Sequence, residues 1–203
     1  WHVALSDPTQ REDIPQGSFY QVNATMAQKL LEWVRKQIVS ANSEISSRFL
    51  DLYCGAGFFT LELADGFSQV CGVDRDVRAI HAATVLAQKR GIARASFFAA
   101  EIEERIDWIL ETQASDQFTL LVDPPREGLS RHVVESVARA GGIRRLIYVS
   151  CNPATLARDL KLFAHTVEQA SHGRKLALRK LALFDMFPQT AHIEAVALLE
   201  ETP

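Results

Sequence analysis

The apolar positions of this chain change period several times. Over residues 24–39, Met26, Leu30, Leu31, Val34 and Ile38 recur at three- and four-residue spacing, which predicts one amphipathic helix. Ser/Asn-rich residues 40–47 end it. Beyond them, short apolar runs near 49–53, 70–74, 95–99, 118–123 and 146–150 alternate with longer helical patterns near 58–64, 77–89, 102–110, 133–140 and 153–163. Parallel strands need crossover connections, so this alternation predicts an open α/β domain with helices on both faces of a sheet. The end differs: residues 175–184 and 192–200 read as successive strands joined by a turn at 186–190, with no helix between them. The expectation is a mostly parallel, seven-stranded sheet closed at one edge by a C-terminal antiparallel hairpin.

Residues 1–18 hold two prolines and a glycine without apolar periodicity, and read as a linker or the end of a missing N-terminal region. Residues 19–203 read as one domain. The chain begins with Trp rather than Met, as a piece of something longer would.

Composition narrows the function class. With 203 residues, 47% apolar and 23% charged, a sizeable core is expected. Lys+Arg 22 against Asp+Glu 25 leaves −3, so total charge names no partner. No apolar stretch approaches the ~20 residues of a membrane helix, and the first residues lack the sections of a signal peptide. Cys54, Cys71 and Cys151 are widely spaced, with no C-x-x-C pair. They suggest neither a disulfide framework nor a metal site, and fit a reducing, cytoplasmic setting.

Four segments carry candidate chemistry. The first strand runs into Asp51-Leu52-Tyr53-Cys54-Gly55-Ala56-Gly57, where two glycines at a strand-to-helix turn let the backbone approach a ligand. A dinucleotide loop would place a third glycine where Thr60 stands, which weakens a nicotinamide reading. Asp74 ends the second strand, where a carboxylate can accept hydrogen bonds from ribose hydroxyls. Together these suit a nucleoside cofactor without a pyrophosphate, S-adenosylmethionine being the common one; the alternative is a tight turn with a solvated acid.

Asp123-Pro124-Pro125-Arg126 ends the fourth strand as a stiff acidic lip or as a surface turn. Cys151 ends the fifth strand; Asn152 suits a helix cap and Pro153 the first helical position. A thiol beside a helix N-terminus favours a thiolate nucleophile, whereas most free cysteines are packing residues. Cys54 and Cys71 lack that setting and read as packing. In the last strand, alternation puts His192 and Glu194 on one face and Ile193 and Ala195 on the other. Glu194 there is either a base above the sheet or part of the wet face of an edge strand.

FYQVN at 19–23, DLYCGAGFFTLELA at 51–64, DPPREGL at 123–129, YVSCNPATLARDL at 148–160 and FDMFPQTAHIE at 184–194 together resemble the catalytic domain of the RNA uracil-5-methyltransferases. The resemblance implies an open Rossmann-like class I methyltransferase fold and transfer of a methyl group from S-adenosylmethionine to carbon 5 of a uridine in tRNA or ribosomal RNA. It implies that Gln21, Tyr53, Asp74 and Asp123 contact the cofactor or its surroundings beside Gly55 and Gly57. It implies Cys151 as nucleophile and Glu194 as base, with no metal. Family members often have Asn where Phe58 stands and Glu where Asp74 stands, which bears on the adenosine end. Members usually carry additional RNA-binding domains, absent from these residues.

Two other readings stand beside this one. RNA cytosine-5-methyltransferases also use a cysteine adduct, but commonly carry Cys where Arg126 stands. A noncatalytic RNA-binding module retaining the fold would have no need of both Cys151 and Glu194. RNA as partner suggests an electrostatic footprint: residues 141–180 hold eight Lys/Arg (Arg144, Arg145, Arg158, Lys161, Arg174, Lys175, Arg179, Lys180) against Asp159 and Glu168, a local +6 that reads as a basic patch near the nucleophile or as ordinary basic surface.

Overall fold

The computed structural model describes residues 23–39, 48–112, 117–169, 176–186, 190 and 193–202. The linker expected at 1–18, Gln21, His192 and most of the 186–190 turn lie outside the described residues. The strands are β1 (Arg48–Leu52), β2 (Gln69–Asp74), β3 (Ala95–Ala99), β4 (Phe118–Val122), β5 (Ile143–Ser150), β6 (Leu176–Phe184) and β7 (Glu194–Glu201). The helices are α1 (Ala24–Val39), α2 (Phe58–Glu62), α3 (Val77–Lys89), α4 (Ile102–Glu111), α5 (Arg131–Arg139) and α6 (Pro153–Gln169). One seven-stranded sheet has the order β3-β2-β1-β4-β5-β7-β6. The first five strands pair in parallel; β7 runs antiparallel to both β5 and β6.

The alternation of strand and helix thus builds the expected architecture. The hairpin strands are also as expected, but β7 lies inside the sheet and β6 forms its edge. Two observations explain the order. Val196 to Leu199 form an apolar run, buried on both faces as an interior strand requires. In β6, Arg179 and Lys180 interrupt the run, and the register shifts between Leu178 and Lys180, both marks of an edge.

Strand alternation divides the core into two layers. Leu50, Leu52, Leu120, Val122, Leu146, Tyr148, Ala195, Ala197 and Leu199 face helices α4, α5 and α6. Phe49, Val70, Leu121, Ile147, Val149, Val196 and Leu198 face α1 and α2, where Ala27, Leu30, Val34, Phe58 and Phe59 meet them. Helix starts follow side-chain capping: Asp76 accepts from the N–H groups of Arg78 and Ala79, and Ser130 from that of Val133.

Two boundaries exceed what the pattern predicts. β5 begins three residues before the apolar run because Arg145, although charged, is inside: its Nε donates to Glu200 Oε1 at 3.0 Å and its Nη1 to the Ile38 carbonyl at 3.2 Å. Glu200 is its partner across the ladder. α6 continues to Gln169, burying Thr166 and Val167 in its last turns.

Candidate active site

Strand connections run one way from β1 and the other way from β4, so a crevice opens above the carboxyl ends of these neighbours. The β1 exit fills one side of it. Tyr53 has φ 62°, a left-handed backbone rare for a side chain of this size, and its hydroxyl donates to Glu103 Oε1 at 2.9 Å. Gly57 (φ 82°) permits close packing beneath the loop: a Cβ there would lie 2.8 Å from the Phe97 ring and 3.2 Å from Ala83 Cβ. Asp74 braces the loop. Its Oδ2 accepts the Gly55 N–H at 2.9 Å and its Oδ1 the Asp76 N–H at 2.8 Å, and each oxygen retains a lone pair for a further donor.

Below the loop, Asp51 is fully buried. Its Oδ2 accepts the Thr60 N–H at 3.1 Å and the Thr60 hydroxyl at 2.6 Å, while Oδ1 has no hydrogen-bond partner among the described residues. Burial raises its carboxyl to about 7, against the hydrogen bonds from Thr60.

The other side of the crevice is built by β4, β5 and β7. Asn152 caps α6: its Oδ1 accepts the Ala154 N–H at 3.1 Å, and Pro153 takes the first helical position. Cys151 therefore stands where the sequence analysis expects it, partly buried between strand and helix. Glu194 begins β7 with only 4% of its surface exposed, so it does not belong to the wet face of an edge strand. Burial raises its carboxyl to about 7. Asp123, just past β4, donates its N–H to the Leu52 carbonyl at 3.2 Å, and burial together with Glu194 pushes its carboxyl well up.

The electrostatics of the thiol differ from the expectation of a helix-favoured thiolate. Burial is the largest influence on Cys151, followed by the negative charges of Glu194 and Asp123; all three raise it. A hydrogen bond from Arg126 and its positive charge oppose them without reversing the direction. Burial and the two acids thus favour the protonated thiol, and Arg126 is the group that favours its ionisation.

Cys151, Glu194, Asp123 and Arg126 thus form one cluster; Tyr53, Gly55, Gly57 and Asp74 form the adjoining loop. Phe58 is buried in the α1-side core with its ring 5.0 Å from that of Phe59, a packing residue rather than a rim residue. The basic segment does not make a single patch among the described residues. Arg145 is buried against Glu200, Lys180 donates to Gln37 Oε1 at 2.7 Å on the α1 side, and Arg158 lies on the α6 side. Among the described residues no group of three or more His, Cys, Asp or Glu is arranged to hold a metal. No helix among them is long and apolar enough to cross a membrane.

The profile of the tRNA (uracil-5-)-methyltransferases matches residues 4–202. The chain belongs to this family. It is 40% identical over 190 residues to an uncharacterized RNA methyltransferase of Thermosynechococcus vestitus, covering 93% of this chain and 39% of that protein. It is also 40% identical over 187 residues to the 23S rRNA (uracil(1939)-C(5))-methyltransferase RlmD of Pseudomonas savastanoi, covering 91% of this chain and 38% of that one. A solved structure, the Pyrococcus abyssi tRNA (uracil-54, C5)-methyltransferase in complex with S-adenosyl-L-homocysteine, superposes with a TM-score of 0.70 at 32% identity, over 90% of this chain and 40% of its own. The chain thus spans about two fifths of the length of these relatives. The N-methyltransferase NodS of Bradyrhizobium japonicum, at 19% identity and a TM-score of 0.61, shares the fold.

Within this member of the family, sequence reasoning missed two residues of the site. Asp51 was visible only as the start of a glycine loop, although an acid ending an apolar strand is a signal of buried work. In the sequence Arg126 only distinguishes uracil from cytosine enzymes; its approach to the Cys151 sulfur depends on two segments that are distant in sequence.

Proposed function

We propose that this chain is the catalytic domain of an RNA uracil-5-methyltransferase, moving a methyl group from S-adenosylmethionine to carbon 5 of a uridine in ribosomal or transfer RNA. The observation that carries the reading is the meeting of Cys151 and Glu194 at the carboxyl edge of the sheet, beside a glycine loop braced by Asp74. The residues fit the cofactor. Tyr53, Gly55, Gly57 and Asp74 offer a close backbone approach, a carboxylate with free lone pairs and an aromatic wall; Asp123 adds a second acid, and Gln21 is assigned to the same site by the family motif alone.

S-adenosylmethionine supplies an electrophilic methyl group on sulfur. Uracil carbon 5 is too poor a nucleophile to take it unaided, so the Cys151 thiolate first adds to carbon 6. That bond pushes an electron pair onto the carbonyl oxygen at carbon 4, and the resulting enolate is nucleophilic at carbon 5. Arg126 favours the thiolate form that begins the sequence. Once carbon 5 is methylated it still carries its hydrogen; Glu194 removes this as a proton, the carbon 5–carbon 6 double bond re-forms and the thiolate leaves. The buried setting of Glu194, with its carboxyl near 7, suits a group that must accept a proton at neutral pH. A uridine in a folded RNA reaches the thiol by leaving its stack.

The RNA-holding surface is assigned to parts of a longer protein, in keeping with the two-fifths coverage of the relatives. The cytoplasm, where free cysteines persist, is the compartment that fits. Arg126 favours uridine over cytidine as the target.

Trapping tests the proposal. RNA carrying 5-fluorouridine cannot lose its carbon 5 substituent as a proton, so a covalent complex linked through Cys151 is expected with S-adenosylmethionine present. Absence of that adduct in the full-length protein overturns the covalent mechanism and favours a binding module. Adduct formation with 5-fluorocytidine RNA alone moves the target to cytidine.

A further inference from the structure

Asp159 is 2% exposed, on the second turn of α6 and eight residues from the thiol. Its Oδ2 accepts the Tyr148 hydroxyl of β5 at 2.6 Å and the Leu129 N–H at 2.8 Å; its Oδ1 lies 2.8 Å from Arg158 Nε and 2.7 Å from Arg158 Nη2. Arg158 continues the network, donating to the carbonyls of Glu127 at 2.8 Å and Leu129 at 3.2 Å. The loop between β4 and α5 comes as near as backbone allows: a Cβ on Gly128 (φ 75°) would sit 2.5 Å from Asp159 Oδ2. The preceding residue of interest is held from the same helix end, since the Arg126 carbonyl accepts from Asn152 Nδ2 at 3.2 Å and from the Thr155 hydroxyl at 3.3 Å.

With Asp159 buried and the Arg158 side chain half exposed, the ion pair by itself adds little stability. Here the two side chains join the 127–129 backbone, next to Arg126, to α6 and β5, the elements on either side of Cys151. We propose that Asp159 is a positioning residue for methyl transfer: by holding the 126–129 loop against α6 and β5 it keeps the Arg126 guanidinium at the Cys151 sulfur. This rests on the reading of Cys151 as nucleophile. Among the described residues, the charged groups that face the thiol are Glu194 from β7, Asp123 from the end of β4 and Arg126 from the loop. The first two disfavour the thiolate, so loss of the guanidinium's position leaves their effect unopposed.

The test is the pH dependence of Cys151 alkylation by iodoacetamide, read by peptide mass so that Cys54 and Cys71 are counted separately, in wild type, Asp159→Asn, Arg126→Gln and the double variant. The thiolate is the reacting species, so rate reports ionisation. Asp159→Asn is expected to slow alkylation of Cys151 at pH 7.5 by about threefold to tenfold and to move its profile to higher pH. Arg126→Gln is expected to do the same, and the double variant to be no slower than the slower single one, because both act through one guanidinium. An unchanged profile in Asp159→Asn, or additive effects in the double variant, overturns the proposal even if thermal stability falls. Should Asp159→Asn fail to fold, Arg158→Gln, whose side chain is half exposed, carries the same expectation and the same refutation. Trapping of the wild type on 5-fluorouridine RNA separates the two levels: no adduct defeats the reading of Cys151, whereas an adduct with an unmoved Asp159→Asn profile defeats only the role of Asp159.

Discussion

Ser150 pairs with Ala195 across the antiparallel ladder of β5 and β7, so Cys151, the residue after β5, lies beside Glu194, the first residue of β7. Residues directly opposite in such a ladder share a face of the sheet. The thiol and the carboxyl, 43 positions apart in the chain, therefore meet without depending on a flexible loop (194 − 151 = 43).

Cys151→Ala is expected to abolish both methylation and the 5-fluorouridine adduct. Affinity for S-adenosylmethionine, measured by calorimetric titration, stays within about threefold, because the thiol activates the base and does not hold the cofactor. Residual methylation would show that carbon 5 is activated by another route.

For Glu194→Gln the order of steps matters. Adduct formation precedes proton removal, so the variant still forms a covalent complex with unmodified substrate RNA, and the complex accumulates. Turnover falls by about a hundredfold or more, the range for loss of a general base. Normal turnover would assign the proton to another acceptor.

Activity and stability should respond to pH in opposite directions. Cys151 is raised and Glu194 lies near 7, and both act deprotonated, so kcat/KM at constant RNA rises through neutral pH. Asp51 and Glu194 are raised from 3.8 and 4.5, respectively, to about 7 on folding. A folded state that binds protons more tightly than the unfolded chain loses stability as pH rises between the two values, here from about 4 to about 7, and the loss levels off above. Asp51 alone contributes on the order of 4 kcal/mol to that fall. Thermal unfolding from pH 5 to 8 should show Tm declining, with a shallower decline in Asp51→Asn; a rising Tm would contradict the assignment.

Asp74→Ala should remove the brace of the cofactor loop. The Gly55 and Asp76 N–H groups lose their acceptor, and the loop loses its ordered approach to a ligand. S-adenosylmethionine affinity is expected to fall by about tenfold or more, while the far-ultraviolet circular dichroism is retained, since Asp74 lies at a strand end outside the core. Wild-type affinity would show that the adenosine end is held elsewhere.

Much of this architecture was legible in local pattern. The helix at 24–39 buries Leu30 and Val34 of its predicted stripe and half-buries Met26, Leu31 and Ile38, and the Asn152-Pro153 pair starts α6 as capping chemistry requires. Legibility failed where a charged residue lies inside. Arg144-Arg145 hides the first residues of β5 because partners distant in sequence, Glu200 and the Ile38 carbonyl, make a buried arginine tolerable. Glu194 was ambiguous for the same reason: alternation gives its face, but whether that face is wet depends on which strand of the hairpin lies inside.

By itself the sequence determined the element types, the family motifs and the identity of the thiol, carboxyls and glycines, because these depend on period, capping and spacing over a few residues. The tertiary structure alone decided that β7 lies between β5 and β6, that Arg126 opposes Glu194 and Asp123 at the Cys151 sulfur, and that Asp159 of α6 holds the Leu129 N–H. Those facts depend on strand order and burial, which set the distance between charges and the dielectric around them. No local pattern carries either.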